Sequence, residues 1–150
     1  MAESAGFESA LKKLGKTDPK TVTDAEWKSV LTPEEYEITR KAGTEPAHSG
    51  ALTKNLKDGN YKCTCCGVDL FVSSTKFVSS CGWPAFNESV EKDKNIVRIP
   101  DNSFGINRTE VRCKNCNAHL GHVFEEDDQP TGERYCINSC SIKFQPKDKP

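Results

Sequence analysis

The sequence has no hydrophobic run approaching the roughly 18 residues that a membrane-spanning helix needs, so no membrane span is expected. It has no surplus of either charge. Its 21 Lys and Arg stand against 22 Asp and Glu, for a formal net charge of −1. That balance removes the electrostatic case for a nucleic-acid partner or an anionic membrane surface. Low-complexity segments are absent, and so are internal repeats beyond one pair of short cysteine motifs. The opening stretch, Met1-Ala-Glu-Ser-Ala-Gly-Phe-Glu8, has no basic region followed by an apolar one, so a secretory leader is not expected. The expected location is cytoplasmic, with the nucleus or another intracellular compartment left open. In such a setting cysteines are read as metal ligands or redox groups rather than as a secreted disulfide framework.

Cysteine is what the sequence has in quantity: eight in 150 residues. A chain of this length suits one domain and buries roughly 70% of its unfolded surface. A core is therefore available without disulfide staples. The charged fraction, 29%, is ordinary. A monomer is the expectation.

Three short helices are expected first. Phe7, Ala10, Leu11 and Leu14 form one apolar stripe at i, i+3, i+4 and i+7, and Gly15 is a stop. The rest of that segment is polar, which suggests a loosely attached extension. Asp18-Pro19 breaks any helix. Thr23-Asp-Ala-Glu26 and Thr32-Pro-Glu-Glu35 are capping boxes, in which a Thr hydroxyl and a Glu three residues on satisfy amides reciprocally. Pro33 takes the favoured first helical position, and Gly43 is read as closing that helix. The acidic residues here are read as helix caps.

From Thr44 onward Gly, Pro, Ser and Asn recur between short runs rich in Val, Ile, Phe and Tyr. Strands are expected at Tyr61–Cys63, Asp69–Val72, Ile96–Ile99, Glu110–Cys113, His119–Phe124, Arg134–Ile137 and Ser141–Phe144. This spacing suits a compact antiparallel β domain. The organisation expected is a helical extension over 1–31, a domain over 32–145 and a polar tail over 146–150.

Cys63-Thr-Cys-Cys66-Gly67 and Cys113-Lys-Asn-Cys116 are two C-x2-C knuckles. Zinc takes four thiolates or imidazoles in a tetrahedron, and each knuckle offers one edge of it. The separation exceeds the roughly 15–20 residues of a simple ribbon, so the knuckles belong to different hairpins that the metal staples together. Four cysteine ligands, Cys63, Cys66, Cys113 and Cys116, leave no open coordination position, which marks a structural zinc site. Cys65 is left as a spare thiol, exposed or packed.

Thr131-Gly-Glu-Arg-Tyr-Cys-Ile-Asn-Ser-Cys140 reads in part as a strand. Side chains alternate along a strand, so Arg134, Cys136 and Asn138 share a face. A thiol beside a fixed cation loses its proton more easily, and the thiolate is the reactive form. The alternative is a small buried hydrophobe. Ala118-His-Leu-Gly-His-Val-Phe124 carries two histidines at i and i+3. A regular strand points these to opposite faces, and Gly121 offers a bulge that reorients one. An H-x2-H pair is also a metal pattern, but the knuckles already supply four ligands.

With these residues stand Gly82-Trp-Pro84, Arg108-Thr-Glu-Val-Arg-Cys113, Leu70-Phe71, Gly43-Thr-Glu-Pro46 and Ser49-Gly50. Together with the knuckles and the Thr131–Ser139 run, they resemble the signatures of the B-type methionine sulfoxide reductases. The resemblance extends from about Thr32 to Phe144. It implies a mainly β fold of two small antiparallel sheets with short N-terminal helices and a structural zinc. It also implies reduction of methionine-R-sulfoxide, free or in proteins, with thioredoxin as reductant. Methionine sulfoxide is a reversible lesion, and each epimer has its own enzyme.

By the same resemblance Cys136 matches the nucleophile, which becomes a sulfenic acid. Cys81 matches the thiol that resolves it as a disulfide. His122, with His119, matches the proton donors. Asn138 and Arg134 match residues near the nucleophile, and Trp83 matches the aromatic wall for the substrate methyl group. Phe124 is assigned to the same pocket, with core packing as its alternative. Cys140 stands where a small residue is usual; a buried inert thiol is the favoured reading, and whether it or Cys81 is the main resolver is left open. Ile106, Ala85 and His48 are milder departures, and His48 is placed on the surface. The competing function is a non-catalytic, zinc-stapled peptide-binding module using the Trp83 groove. A general thiol–disulfide exchanger is disfavoured, because no C-x2-C dithiol remains once the knuckles hold metal.

Overall fold

The computed structural model describes residues 9–78, 82–101, 108–127 and 129–146. Three short helices lead: α1 (Ala10–Lys13), α2 (Asp24–Val30) and α3 (Pro33–Thr39). Both capping boxes form. Thr23 accepts from the Glu26 amide while the Glu26 carboxylate accepts from the Thr23 amide. Thr32 and Glu35 do the same for α3, with Pro33 in its first turn. The helix ends at Thr39 with Arg40 as its C-cap, so Gly43 lies beyond its end. Ala42 takes the left-handed conformation at φ 58°, and Gly43 follows it. The amide of Gly43 instead bonds the Glu37 carbonyl at 3.0 Å. The first helix is not loose: Ala10 and Leu11 are buried, and their amides bond to the carbonyls of Thr64 and Cys65 at 3.2 and 2.8 Å. Phe7 of the expected stripe lies outside the described residues.

The strands are β1 (Gly59–Cys63), β2 (Asp69–Val72), β3 (Lys76–Phe77), β4 (Ala85–Phe86), β5 (Ile96–Asp101), β6 (Arg108–Cys113), β7 (His119–Glu125), β8 (Glu133–Ile137) and β9 (Ile142–Pro146). They make two antiparallel sheets. One is three-stranded, ordered β9-β1-β2, and the other six-stranded, ordered β3-β4-β8-β7-β6-β5. The fold is mainly β, as the sequence suggests. The two-residue strands β3 and β4 were not expected, since alternation cannot show in two residues.

Aromatic rings join the sheets. Phe71 of β2 stacks on Phe86 of β4 with centroids 4.2 Å apart. Tyr61 of β1 meets the same ring edge-on at 5.0 Å. Phe71 also meets Tyr135 of β8 edge-on at 5.3 Å. Such pairs add about 0.5–1.5 kcal/mol each beyond the apolar area they bury. They also fix which way β8 faces. Tyr135 and Ile137 turn into the core, with 2% and 0% exposure. By alternation Arg134 and Cys136 turn to the other side.

Candidate active site and metal centre

The site on that other side is built across four neighbouring strands. In the ladders Cys136 of β8 stands opposite His122 of β7, and His122 stands opposite Glu110 of β6. Ala85 of β4 flanks Cys136 on its remaining side. Directly opposed residues share a face, so this row puts the thiol and an imidazole together. They line a cleft of about 100 Å³ with Thr44, Trp83, Arg108, Gly121, Phe124 and Asn138.

Each side chain is held by named partners. The Arg134 guanidinium donates from Nη1 to Cys136 Sγ at 2.9 Å and from Nε to Glu126 at 2.8 Å. Its plane lies over the Phe124 ring, 5.0 Å from the centroid. The expected shared face of Arg134 and Cys136 is therefore a direct contact. Asn138 is buried, accepts from the Glu45 amide at 3.0 Å and donates to the Leu120 carbonyl at 3.1 Å. The Trp83 indole donates to the Glu45 carbonyl at 2.9 Å. One residue, Glu45, thus holds both the cleft's aromatic wall and its carboxamide. Its carboxylate also accepts from the Cys140 amide at 3.1 Å.

Gly121 has a specific reason to be glycine. A Cβ there would lie 2.0 Å from the Cys136 carbonyl oxygen. The bulge anticipated between the histidines is present: Val111 opposes Gly121, but Arg112 opposes His119, so Leu120 is the extra residue. It brings the two rings to 5.8 Å. His122 Nε2 lies 2.9 Å from Asp101 Oδ2, which also accepts from Arg108 at 3.2 Å. His119 is buried behind, with Nδ1 2.6 Å from Glu110 Oε2, and that carboxylate accepts from Arg112 at 2.7 Å. Burial holds the His119 imidazole below its ordinary pKa, against the raising effect of Glu110.

The four knuckle cysteines converge as expected. Their sulfurs all lie within 4.8 Å of one another. Cys63 and Cys116 sulfurs are 3.6 Å apart, and those of Cys66 and Cys113 are 3.5 Å apart. A tetrahedron with zinc–sulfur bonds near 2.3 Å has edges of about 3.8 Å, so the donor set and its size fit zinc. The two turns are built alike. The Gly67 and Asn117 amides return to the Cys63 and Cys113 carbonyls at 2.9 and 2.8 Å. Both residues are left-handed, at φ 85° and 66°, and Asn is the non-glycine that tolerates this best. Cys65 is fully buried beside the cluster, so of its two expected settings it is packed.

A family model for the SelR domain matches residues 31–146. The chain belongs to the SelR family, that of the B-type methionine sulfoxide reductases. Among relatives of this SelR chain, a protein of Caenorhabditis elegans called a probable methionine-R-sulfoxide reductase B is 55% identical over 132 residues, covering 87% of each chain. A Leifsonia xyli protein called peptide methionine sulfoxide reductase MsrB is 51% identical over 128 residues, 85% of this chain and 91% of its own. A Leptospira interrogans protein of the same name is 52% identical over 123 residues, 82% of this chain and 93% of its own.

Of the residues singled out from sequence, the SelR cleft gathers Cys136, His122, Asn138, Trp83 and Phe124. Arg134 reaches it through the thiol, and His119 stands behind it. Cys81 and Ile106 lie outside the described residues. Cys140 is half-buried, and its thiol is pushed up to about 12 by burial and then by the neighbouring Glu45 carboxylate. His48 is exposed, as placed. Sequence reasoning gave no role to Asp101, Glu110, Glu126 or Glu45. Glu110 and Glu45 do stand inside quoted stretches, Arg108–Cys113 and Gly43–Pro46, and that was the available signal.

Proposed function

We propose that this SelR chain reduces methionine-R-sulfoxide, free or in proteins, with Cys136 as the nucleophile. The observation that carries this reading is the Arg134 guanidinium donating to the Cys136 sulfur at 2.9 Å in a cleft that His122 and Trp83 also line. A cation at that distance favours the thiolate over the thiol. The thiolate attacks the sulfoxide sulfur. His122 gives a proton to the sulfoxide oxygen, which otherwise leaves poorly. The substrate sulfur gains two electrons and departs as methionine. Cys136 loses two and keeps the oxygen as a sulfenic acid. Asp101 orients His122, and Glu110 with His119 supports the ring from behind. Trp83 and Phe124 hold the substrate's S-methyl group, and Asn138 fixes the cleft floor.

A second thiol then displaces water from the sulfenic acid and forms a disulfide, which a dithiol such as thioredoxin exchanges back to two thiols. We assign this to Cys81. Cys140 is a weak candidate, because a thiol held up near 12 supplies little thiolate at neutral pH. Cys63, Cys66, Cys113 and Cys116 would hold zinc as a closed structural crosslink between β1 and β6. Zinc supplies folding energy there and leaves no position for substrate.

The test is turnover of the separated R and S epimers of N-acetylmethionine sulfoxide with dithiothreitol. R alone should be reduced, and Cys136→Ser should abolish it. Turnover of neither epimer, in protein with reduced thiols, would overturn the reading in favour of a zinc-stapled binding module. Cys81→Ser should keep the dithiothreitol reaction and lose recycling by thioredoxin; equal loss with both reductants would remove its resolving role.

A further inference from the structure

We propose that the N-terminal segment around α1 braces the metal-binding turn Cys63–Gly67 and shields Cys66, and so governs how fast metal leaves the cluster. The inference rests on the zinc reading above and concerns residues that precede the matched segment 31–146.

The contact is built into the main chain. The first amides of a helix have no partner within it. Here the Ala10 amide donates to the Thr64 carbonyl at 3.2 Å and the Leu11 amide to the Cys65 carbonyl at 2.8 Å. Those two carbonyls belong to the residues between the ligands Cys63 and Cys66. Ser9 Oγ caps the helix by accepting from Lys12 at 3.2 Å, and Ser9 packs on the far side of the turn, where a Cβ on Gly67 would be 3.2 Å from its own. Ala10 and Leu11 are 3% and 6% exposed, so this is a packed surface. Lys16 ties the segment to α2 through Glu26 at 2.9 Å.

The braced turn is also the vulnerable one. Cys66 is half-buried, whereas the other three ligands are buried. It opens onto a groove whose walls include Ser9, Leu11, Lys12, Lys16 and Lys62. A chelator or oxidant meets the cluster first through that groove. Four thiolates around a divalent ion carry two net negative charges, and Lys12 faces them across the groove, while Lys16 and Lys62 are paired with Glu26 and Asp69. The second turn has its own support, since Arg40 donates to the Cys116 carbonyl at 3.0 Å. Metal leaves a chelate by detaching one ligand at a time. The step that frees Cys66 requires its turn to open, and the α1 contacts must break for that to happen.

The experiment uses the full chain. Bound zinc is first counted by its release on complete thiol modification. Transfer of zinc to a chromophoric chelator is then timed under native conditions for the wild type, Leu11→Glu, Leu11→Met and Val123→Ala. Leu11→Glu puts a charge into the packed contact and should speed transfer by about tenfold, the scale seen when a partner outside the ligand shell is lost. Leu11→Met keeps the contact and should stay near the wild-type rate. Val123→Ala loosens the core of the larger sheet, away from the turn, and should stay within about twofold. Leu11→Glu at the wild-type rate overturns the brace, and so does Val123→Ala releasing zinc as fast as Leu11→Glu. A full chain that binds no zinc overturns the metal reading and the brace together. Bound zinc whose release ignores Leu11 overturns the brace alone.

Discussion

Cys136 and Cys116 are the same side chain and almost equally hidden, at 8% and 7% exposure. Their surroundings nevertheless give them opposite chemistry. Cys116 sits in a tight turn with another sulfur 3.6 Å away. Four such thiols cannot all ionise unaided. Hydrogen bonds among the sulfurs push Cys63 and Cys116 up and hold Cys66 down. A divalent cation would remove the conflict by taking all four as thiolates. Cys136 sits on a strand, with the Arg134 guanidinium 2.9 Å from its sulfur. Cys140, four residues on, is only half-buried, yet burial first and then the neighbouring Glu45 carboxylate push its thiol up to about 12. The fraction of surface hidden therefore does not separate Cys136 from Cys116. The groups around each sulfur do: other thiols for Cys116 and a guanidinium for Cys136.

The contrast breaks most sharply with one serine in each place. Cys136→Ser should remove all turnover of the R epimer while leaving zinc content and melting temperature close to the wild type. Cys113→Ser should do the reverse in kind: it loses zinc, and with it the cooperative fold, because structural zinc contributes about 10 kcal/mol or more where it has been measured. Parallel turnover assays and calorimetry on the two variants decide the matter. A folded, zinc-free Cys113→Ser enzyme with normal turnover would show that the cluster is dispensable.

Next in size is the cation. Arg134→Met removes the donor to Cys136 and should raise the pH midpoint for alkylation of that thiol by about one unit. Turnover at neutral pH should fall about tenfold, since one pH unit is one decade of thiolate. Arg134→Lys should fall between the two, because a point charge lacks the guanidinium's fork. The readout is the rate of iodoacetamide modification against pH. An unmoved midpoint would make Arg134 a packing residue.

Much of this was legible in the sequence, and the remainder was hidden for a physical reason. The seven longer strands show as short runs rich in Val, Ile, Phe and Tyr between turn residues, and both capping boxes form with the residues named. That Arg134 and Cys136 share a face follows from strand period alone, and the structure adds their contact. What stayed hidden depends on register. Asp101 meets His122, and Glu110 meets His119, only because β5, β6 and β7 pair with one particular offset, and the extra residue at Leu120 sets part of it. No local pattern encodes that offset. The docking of α1 was hidden likewise, because its partners are carbonyls of a turn some fifty residues away.

The bulge supplies a third test, on a smaller scale. Gly121→Ala would drive a methyl group to 2.0 Å from the Cys136 carbonyl. Strands β7 and β8 must then part, at about 1–3 kcal/mol for such overpacking. Thermal melting should drop by several degrees, at roughly 2–4 °C per kcal/mol for a chain of this size. The cleft should suffer before the cluster does, so turnover should fall while zinc stays bound.

The smallest effect belongs to the opposite face of the same strand, where Tyr135 and Glu133 point. Arg98 grips both Glu133 oxygens at 2.7 and 2.8 Å and Asp93 at 2.8 Å, and the Tyr135 hydroxyl donates to Asp93 at 2.6 Å. The Arg98 hydrogen bond holds the Glu133 carboxyl below its ordinary 4.5. The unfolded chain therefore takes up that proton first as the solution is acidified. The stabilisation is complete above about pH 4.5 and is lost as pH falls through the lower folded value. Both partners are about a third exposed, so the pair contributes no more than about 1 kcal/mol at neutral pH. Arg98→Met should lower the melting temperature by a few degrees at pH 7 and flatten its fall in acid. The alkylation midpoint of Cys136 should not move, since Tyr135 and Cys136 face opposite sides of one strand. A shift in that midpoint would show that charge is felt through the sheet, and the two faces would then have to be treated as one site.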